Sequence, residues 1–147
     1  MLRSPEAPRS HIERKTALVD GISPLARIRG ITLELPGVTE LVSHGAPCFF
    51  IRDQRPICYF HDHHGGDDRV TVWCPAPRGV AEELAAADPE SFFRPQPSRS
   101  GVFANWLRVV LDPPPRGGVD WDEVAAIVEE AFRMIAPRRL VAELDDR

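Results

Sequence analysis

Apolar positions first settle into a rhythm at Leu25, Ile28 and Ile31, with Leu35 beyond. That is helical spacing. Ser23-Pro24 just upstream supplies a cap and a proline suited to a first helical position. Leu35-Pro36-Gly37 stops the helix, because proline disfavours helical geometry in the residue before it and Gly37 suits a turn. The period then shortens to two. Residues 38–43, 48–52, 56–60 and 69–74 read as four short strands, rich in β-branched and aromatic side chains. Turn residues separate them at 44–47, 53–55 and 62–68, connections too short for parallel crossovers, so neighbouring strands run antiparallel.

Pro75 and Pro77 end the fourth strand, and residues 79–87 predict a helix. Asp88-Pro89 looks like a cap that restarts a helical turn through Ser91. Residues 94–101 form a Pro- and Ser-rich loop, 103–111 a fifth strand, and Pro113-Pro114-Pro115 stops it. The last long element is the most fully specified. Asp120 stands three residues before Glu123 in a capping-box spacing, with Val119 and Val124 at staple positions. Trp121, Val124, Val128, Ala131, Phe132 and Ile135 make one apolar stripe opposite Asp122, Glu129, Glu130 and Arg133. Pro137 separates it from a short helix at 138–143. The expected fold is α+β: a two-layer sandwich of about five antiparallel strands with helices on one face, in the order α-β-β-β-β-α-β-α. Residues 1–20 read as a flexible N-terminal extension, with a short helix possible in pattern at 12–19, and residues 21–147 as one domain.

Alternation along the strands sorts the sheet into two unlike faces. Val70, Val72 and Cys74 share a side, as do Leu107, Val109 and Leu111; these aliphatic rows belong under the helices. The other side collects Arg69, Trp73, Trp106 and Arg108, joined by Phe50 and Arg52. Tryptophan and arginine on an open sheet can stack bases and neutralise phosphates. The same pair is enriched in protein interfaces, including homodimers. A small second core under the N-terminal segment or the 94–101 loop is a third reading.

Composition narrows the function classes. With 43% hydrophobic and 27% charged residues in 147, the chain can bury a real core and is not disordered as a whole. No apolar run is long enough to span a membrane, and the first residues lack the apolar region of a secretory signal, so a cytoplasmic location is expected. The net charge of −4 runs against a dedicated nucleic-acid binder. Cys48, Cys58 and Cys74 are odd in number and widely spaced, and read as buried reduced thiols. No P-loop, GxGxxG or GxSxG occurs, so no catalytic residue and no cofactor is assigned. His44 near Cys48 invites a Cys–His nucleophile, yet nothing in sequence orients it. The run from His61 to Asp68 offers His61, His63 and Asp67 as metal ligands; the plainer reading is a polar hairpin tip.

The elements together resemble the MmcQ/YjbR family of small bacterial proteins. The resemblance rests on Leu35-Pro36-Gly37-Val38-Thr39-Glu40, Ser43-His44-Gly45-Ala46-Pro47-Cys48-Phe49 and Val70-Thr71-Val72-Trp73-Cys74-Pro75. It continues in Gly101 with Trp106-Leu107-Arg108-Val109, and in Asp120-Trp121-Asp122-Glu123-Val124. It covers about residues 25–144 and implies a frataxin-like (CyaY-like) sandwich. It also implies a binding role rather than catalysis, since family members are often labelled DNA-binding. Frataxins bind iron through an acidic first helix; here that helix carries Arg27 and Arg29 with only Glu34, so iron chaperoning is not expected. The expectation is a non-enzymatic binding module for DNA at the Trp/Arg face. Its alternatives are a protein-interaction or homodimerisation module on the same face, and a metal site in the 61–68 loop.

Overall fold

The structure is a computed structural model that describes residues 22–63, 69–95, 100–101, 103–112 and 118–147. The predicted extension at 1–20, its helix at 12–19 and most of the histidine loop fall outside the described residues.

Helix α1 (Pro24–Thr32) begins where expected: the Ser23 hydroxyl accepts the Ala26 N–H at 3.0 Å, with proline at the first position. It buries Ile28 and Thr32, and the Thr32 hydroxyl donates back to the Ile28 carbonyl at 2.8 Å. Gly37 then takes φ of +77°, a backbone that only glycine adopts without cost, and this reverses the chain into the sheet.

Strands β1 (Val38–Ser43) and β2 (Ala46–Ile51) are joined by His44-Gly45, both at positive φ as a tight primed turn demands. A second left-handed pair, Arg52 and Asp53, turns β2 into β3 (Arg55–Asp62), and the Arg52 N–H donates to the Gly37 carbonyl at 2.8 Å. β4 (Val70–Pro75) follows, then α2 (Val80–Ala87), β5 (Phe92–Phe93), β6 (Trp106–Val110), α3 (Trp121–Ile135) and α4 (Arg138–Asp145). The strands form one sheet in the order β1-β2-β3-β4-β6-β5, antiparallel throughout.

The α+β class and the helix-covered sheet agree with expectation, but the sheet has six strands instead of five. The extra strand follows directly on the helical turn predicted at 88–91, which the structure retains. Asp88 closes α2 by donating its N–H to the Leu84 carbonyl, and the Asp88 carbonyl then accepts from both Ser91 and Phe92. The chain leaves extended, so Phe92 and Phe93 pair with Val109 and Arg108. β6 is shorter than its sequence pattern because residues 103–105 form a turn, with the Trp106 N–H donating to the Phe103 carbonyl.

All four helices feed one core with the sheet. Ile28 of α1, Ala81 of α2, Val124, Val128, Ala131 and Phe132 of α3, and Leu140 of α4 meet Phe49, Ile51, Phe60, Val72, Cys74, Leu107 and Val109. Asp120 caps α3 by accepting the Glu123 N–H at 3.1 Å, and the predicted stripe is the buried face. All three cysteines are free and buried.

Candidate functional site

The side of the sheet away from the helices is ordered by strand register. Leu41 pairs with Cys48, Cys48 with Tyr59, Tyr59 with Trp73, Trp73 with Arg108, and Arg108 with Phe93. This single row crosses all six strands. His61 and Thr71 flank it on one side, and Trp106 on the other.

The rings on this row touch. Tyr59 and Trp106 stack with centroids 5.3 Å apart and planes 16° from parallel. Phe103, from the turn before β6, sets its edge against Trp106 at 5.1 Å, Trp73 at 5.3 Å and Tyr59 at 6.2 Å. His61 lies 4.6 Å from Trp73. The Arg108 guanidinium is 4.9 Å from the Trp73 ring centre and 4.1 Å from that of Phe93, so both rings hold the cation by their faces. The Trp73 indole N–H donates to the Thr71 hydroxyl at 3.2 Å.

Trp73, Trp106 and Arg108 are therefore brought together as the alternation predicts. Arg69 and Arg52 are not part of that group. Arg69 precedes β4 and forms an ion pair, Nε to Oδ1 at 3.2 Å, with Asp112, which is nearly fully buried. Arg52 is a correction: its positive φ takes it out of the strand alternation and into the β2–β3 turn, where its side chain is exposed. Phe50 stays on the strand, half-buried.

Sequence reasoning missed Tyr59, Phe103 and Phe93. Tyr59 shares its parity with His61 on β3, so the alternation did contain it once the register was known. Phe103 carried no such signal, because its role comes from a turn that folds it back over the rings.

Phe103 also changes the surface. The face is not a bare platform but a partly roofed one, with a cleft of about 270 Å³ left between the β1–β2 turn and the rings. Ser43, His44, Ala46, Tyr59, His61, Trp73 and Phe103 line it. That is near the small end of the ~300–1,000 Å³ usual for ligand sites, so the cleft suits one flat group.

Strand carboxylates avoid this side, although the helices that carry most of the acidic groups also carry Arg27, Arg29, Arg133, Arg138 and Arg139. Among the described residues, no strand side chain on this side between β1 and β6 is a carboxylate. Asp112, held by Arg69, and Asp53, hydrogen-bonded to the Thr39 hydroxyl, stand at its margins. The carboxylates gather on the helices: Glu82, Glu83, Asp122, Glu123, Glu129, Glu130, Glu143 and Asp145.

The Cys–His nucleophile finds no support in this geometry. Cys48 is fully buried, and burial pushes its thiol up to about 12, the opposite of the activation a nucleophile needs. His44 instead has its Nδ1 3.1 Å from the Ser43 hydroxyl. Burial, with Cys48 next, also raises the Tyr59 phenol. As for the metal ligands, β3 ends at Asp62 and His63 turns to positive φ, its Nδ1 2.6 Å from the Asp62 carboxylate, while His61 packs on Trp73. Asp67 lies outside the described residues, and among those described no three His, Cys, Asp or Glu are grouped to hold a metal ion. No helix among them is long and apolar enough to cross a membrane.

No curated protein matches the chain. A solved structure does: the Deinococcus radiodurans protein DR2400, with a DUF419 domain, superposes with a TM-score of 0.54 at 18% identity, covering 80% of this chain and 77% of that one. At that identity the likeness speaks for the fold. The family model described as YjbR matches residues 33–134, a span that runs from the end of α1 almost to the end of α3. On that match over most of its length, the chain belongs to the YjbR family.

Proposed function

We propose that the protein is a non-enzymatic binding module that takes single-stranded nucleic acid along the aromatic side of its sheet, with one unstacked base entering the cleft beside Trp73. The observation that carries this reading is the row Tyr59–Trp73–Arg108, flanked by Trp106, on a side from which strand carboxylates are absent among the described residues. Aromatic platforms with an adjacent guanidinium bind bases with little sequence preference and attract phosphates. The net charge of −4 averages over a molecule whose acidic groups stand mainly on its helices.

The test is fluorescence anisotropy with labelled DNA oligonucleotides, single- and double-stranded, across a salt series. Binding at micromolar protein should weaken as salt rises, linearly on logarithmic axes, and the single strand should bind tighter. Trp73→Ala should weaken single-strand binding roughly tenfold, as loss of one stacked base does. An anisotropy that stays flat at low salt would refute the reading. So would a Trp106→Ala variant that changes the mass in solution while DNA affinity stays constant, which would assign this side to a protein contact.

A further inference from the structure

The sheet ends on two unlike edges. β5 contributes two residues, whereas β1 contributes six. The two-residue turn makes Ser43 and Ala46 a hydrogen-bonded pair, and alternation makes Leu41–Cys48 and Thr39–Phe50 bonded pairs as well. The N–H and C=O groups of Glu40 and Val42 therefore point away from β2. Pro47, opposite Val42, fits this pattern, since that position owes no N–H to β1.

Natural edges are usually blunted by lysine, proline, a bulge or shortness. β1 has none of these. Its one charge, Glu40, is held by Arg29 through two bonds of 2.8 Å on the helix side. Leu41 is 42% exposed and Val42 75%. Of the five exposed large apolar side chains among the described residues, Ile22, Leu33, Leu41 and Val42 fall in the segment that leads into and forms this edge; Met134 is the other.

We propose that β1 pairs antiparallel with β1 of a second copy, about a two-fold axis at Leu41, to join two sheets into one. The sequence selects both partner and register. Outward backbone groups sit on even-numbered residues, so a bonded pair must join even to even. An axis at Glu40 would set two carboxylates opposite each other, which is unfavourable. An axis at Val42 would run Glu40 onto the turn residue His44 of the other copy. An axis at Leu41 sets Glu40 against Val42 and Leu41 against itself, the close non-bonded pair where side chains meet. This axis is normal to the sheet, so both aromatic sides face the same way. The pairing does not rest on the nucleic-acid reading. A six-residue edge is small beside the ~1,200 Å² of stable interfaces, so the dimer forms reversibly.

Sedimentation of the full chain from about 1 μM to about 1 mM tests it, a range that spans weak association. The average mass should climb from 16.4 kDa toward twice that value. Val42→Pro removes an outward N–H and leaves the β1–β2 ladder intact; it should stay monomeric. Leu41→Lys, which sets two ammonium groups at the axis, should do the same and serves if the proline variant does not fold. Amide exchange at Glu40 and Val42 should slow with concentration while Leu41 is protected throughout. A single-chain mass across the whole range overturns the proposal, whether the edge is bare or taken by a foreign strand. A dimer that survives both substitutions overturns it too.

Discussion

Cys48 lies between its cross-strand partners Leu41 and Tyr59 with no exposed surface, and burial, which penalises the thiolate, pushes its thiol up to about 12. An unfolded thiol ionises at 9.0. Between those values the unfolded chain has released a proton that the folded chain retains, so stability is full below 9 and falls as pH rises through the window. The loss is on the order of 4 kcal/mol across it, at ~1.4 kcal/mol per pH unit. Urea midpoints at rising alkaline pH should fall, and Cys48→Ala should lessen that fall, the Cys58 thiol, also raised by burial, supplying part of the rest. Native protein at neutral pH should leave Cys48 unlabelled by iodoacetamide. Gly37 gives a second single-residue prediction. Its φ is +77°, and an added Cβ would come within 2.8 Å of the Leu140 Cδ1. Gly37→Ala should cost about 1–3 kcal/mol in denaturant unfolding, the left-handed backbone and displacement of a buried leucine adding together. The buried thiols could be read from sequence because each stands in an apolar strand. The environment that raises Cys48 could not, because Cys48 faces the aromatic side and not the helices, a fact set by the cross-strand register.

Among the elements, α3 was the most legible. Its cap, staple and stripe all lie within one stretch of sequence, and local signals that agree identify an element without tertiary help. Asp120→Ala should cost about 1 kcal/mol through loss of the bond to the Glu123 N–H. Phe132→Ala, at the fully buried centre of the stripe, should cost about 3–5 kcal/mol. Comparing the two by urea titration separates the cap from the core contact. β5 was illegible for the converse reason. Asp88-Pro89 starts a helical turn as its local chemistry directs, but the strand that follows exists only because Phe92 and Phe93 pair with Val109 and Arg108, residues distant in sequence. That pairing is a contact that no window of sequence displays.

At the scale of the whole molecule, the aromatic side was legible in outline. Trp73, Trp106 and Arg108 follow from alternation alone, provided each strand is called correctly. The cleft was not legible, because it depends on Phe103 folding from a turn and on the β1–β2 turn standing beside His61. Arg52 and Arg69 were over-read for a related reason: alternation assigns a face only within a strand, and both residues lie just beyond one.

The brevity of β5 bears on how far association can go. If two chains meet through their long edges, what remains at either end is a two-residue strand, with too few donors and acceptors to recruit a third chain. Assembly then stops at a closed pair. A protein with a strand on one flank that no other described strand covers is thereby kept from growing into a fibre by the weakness of the other flank.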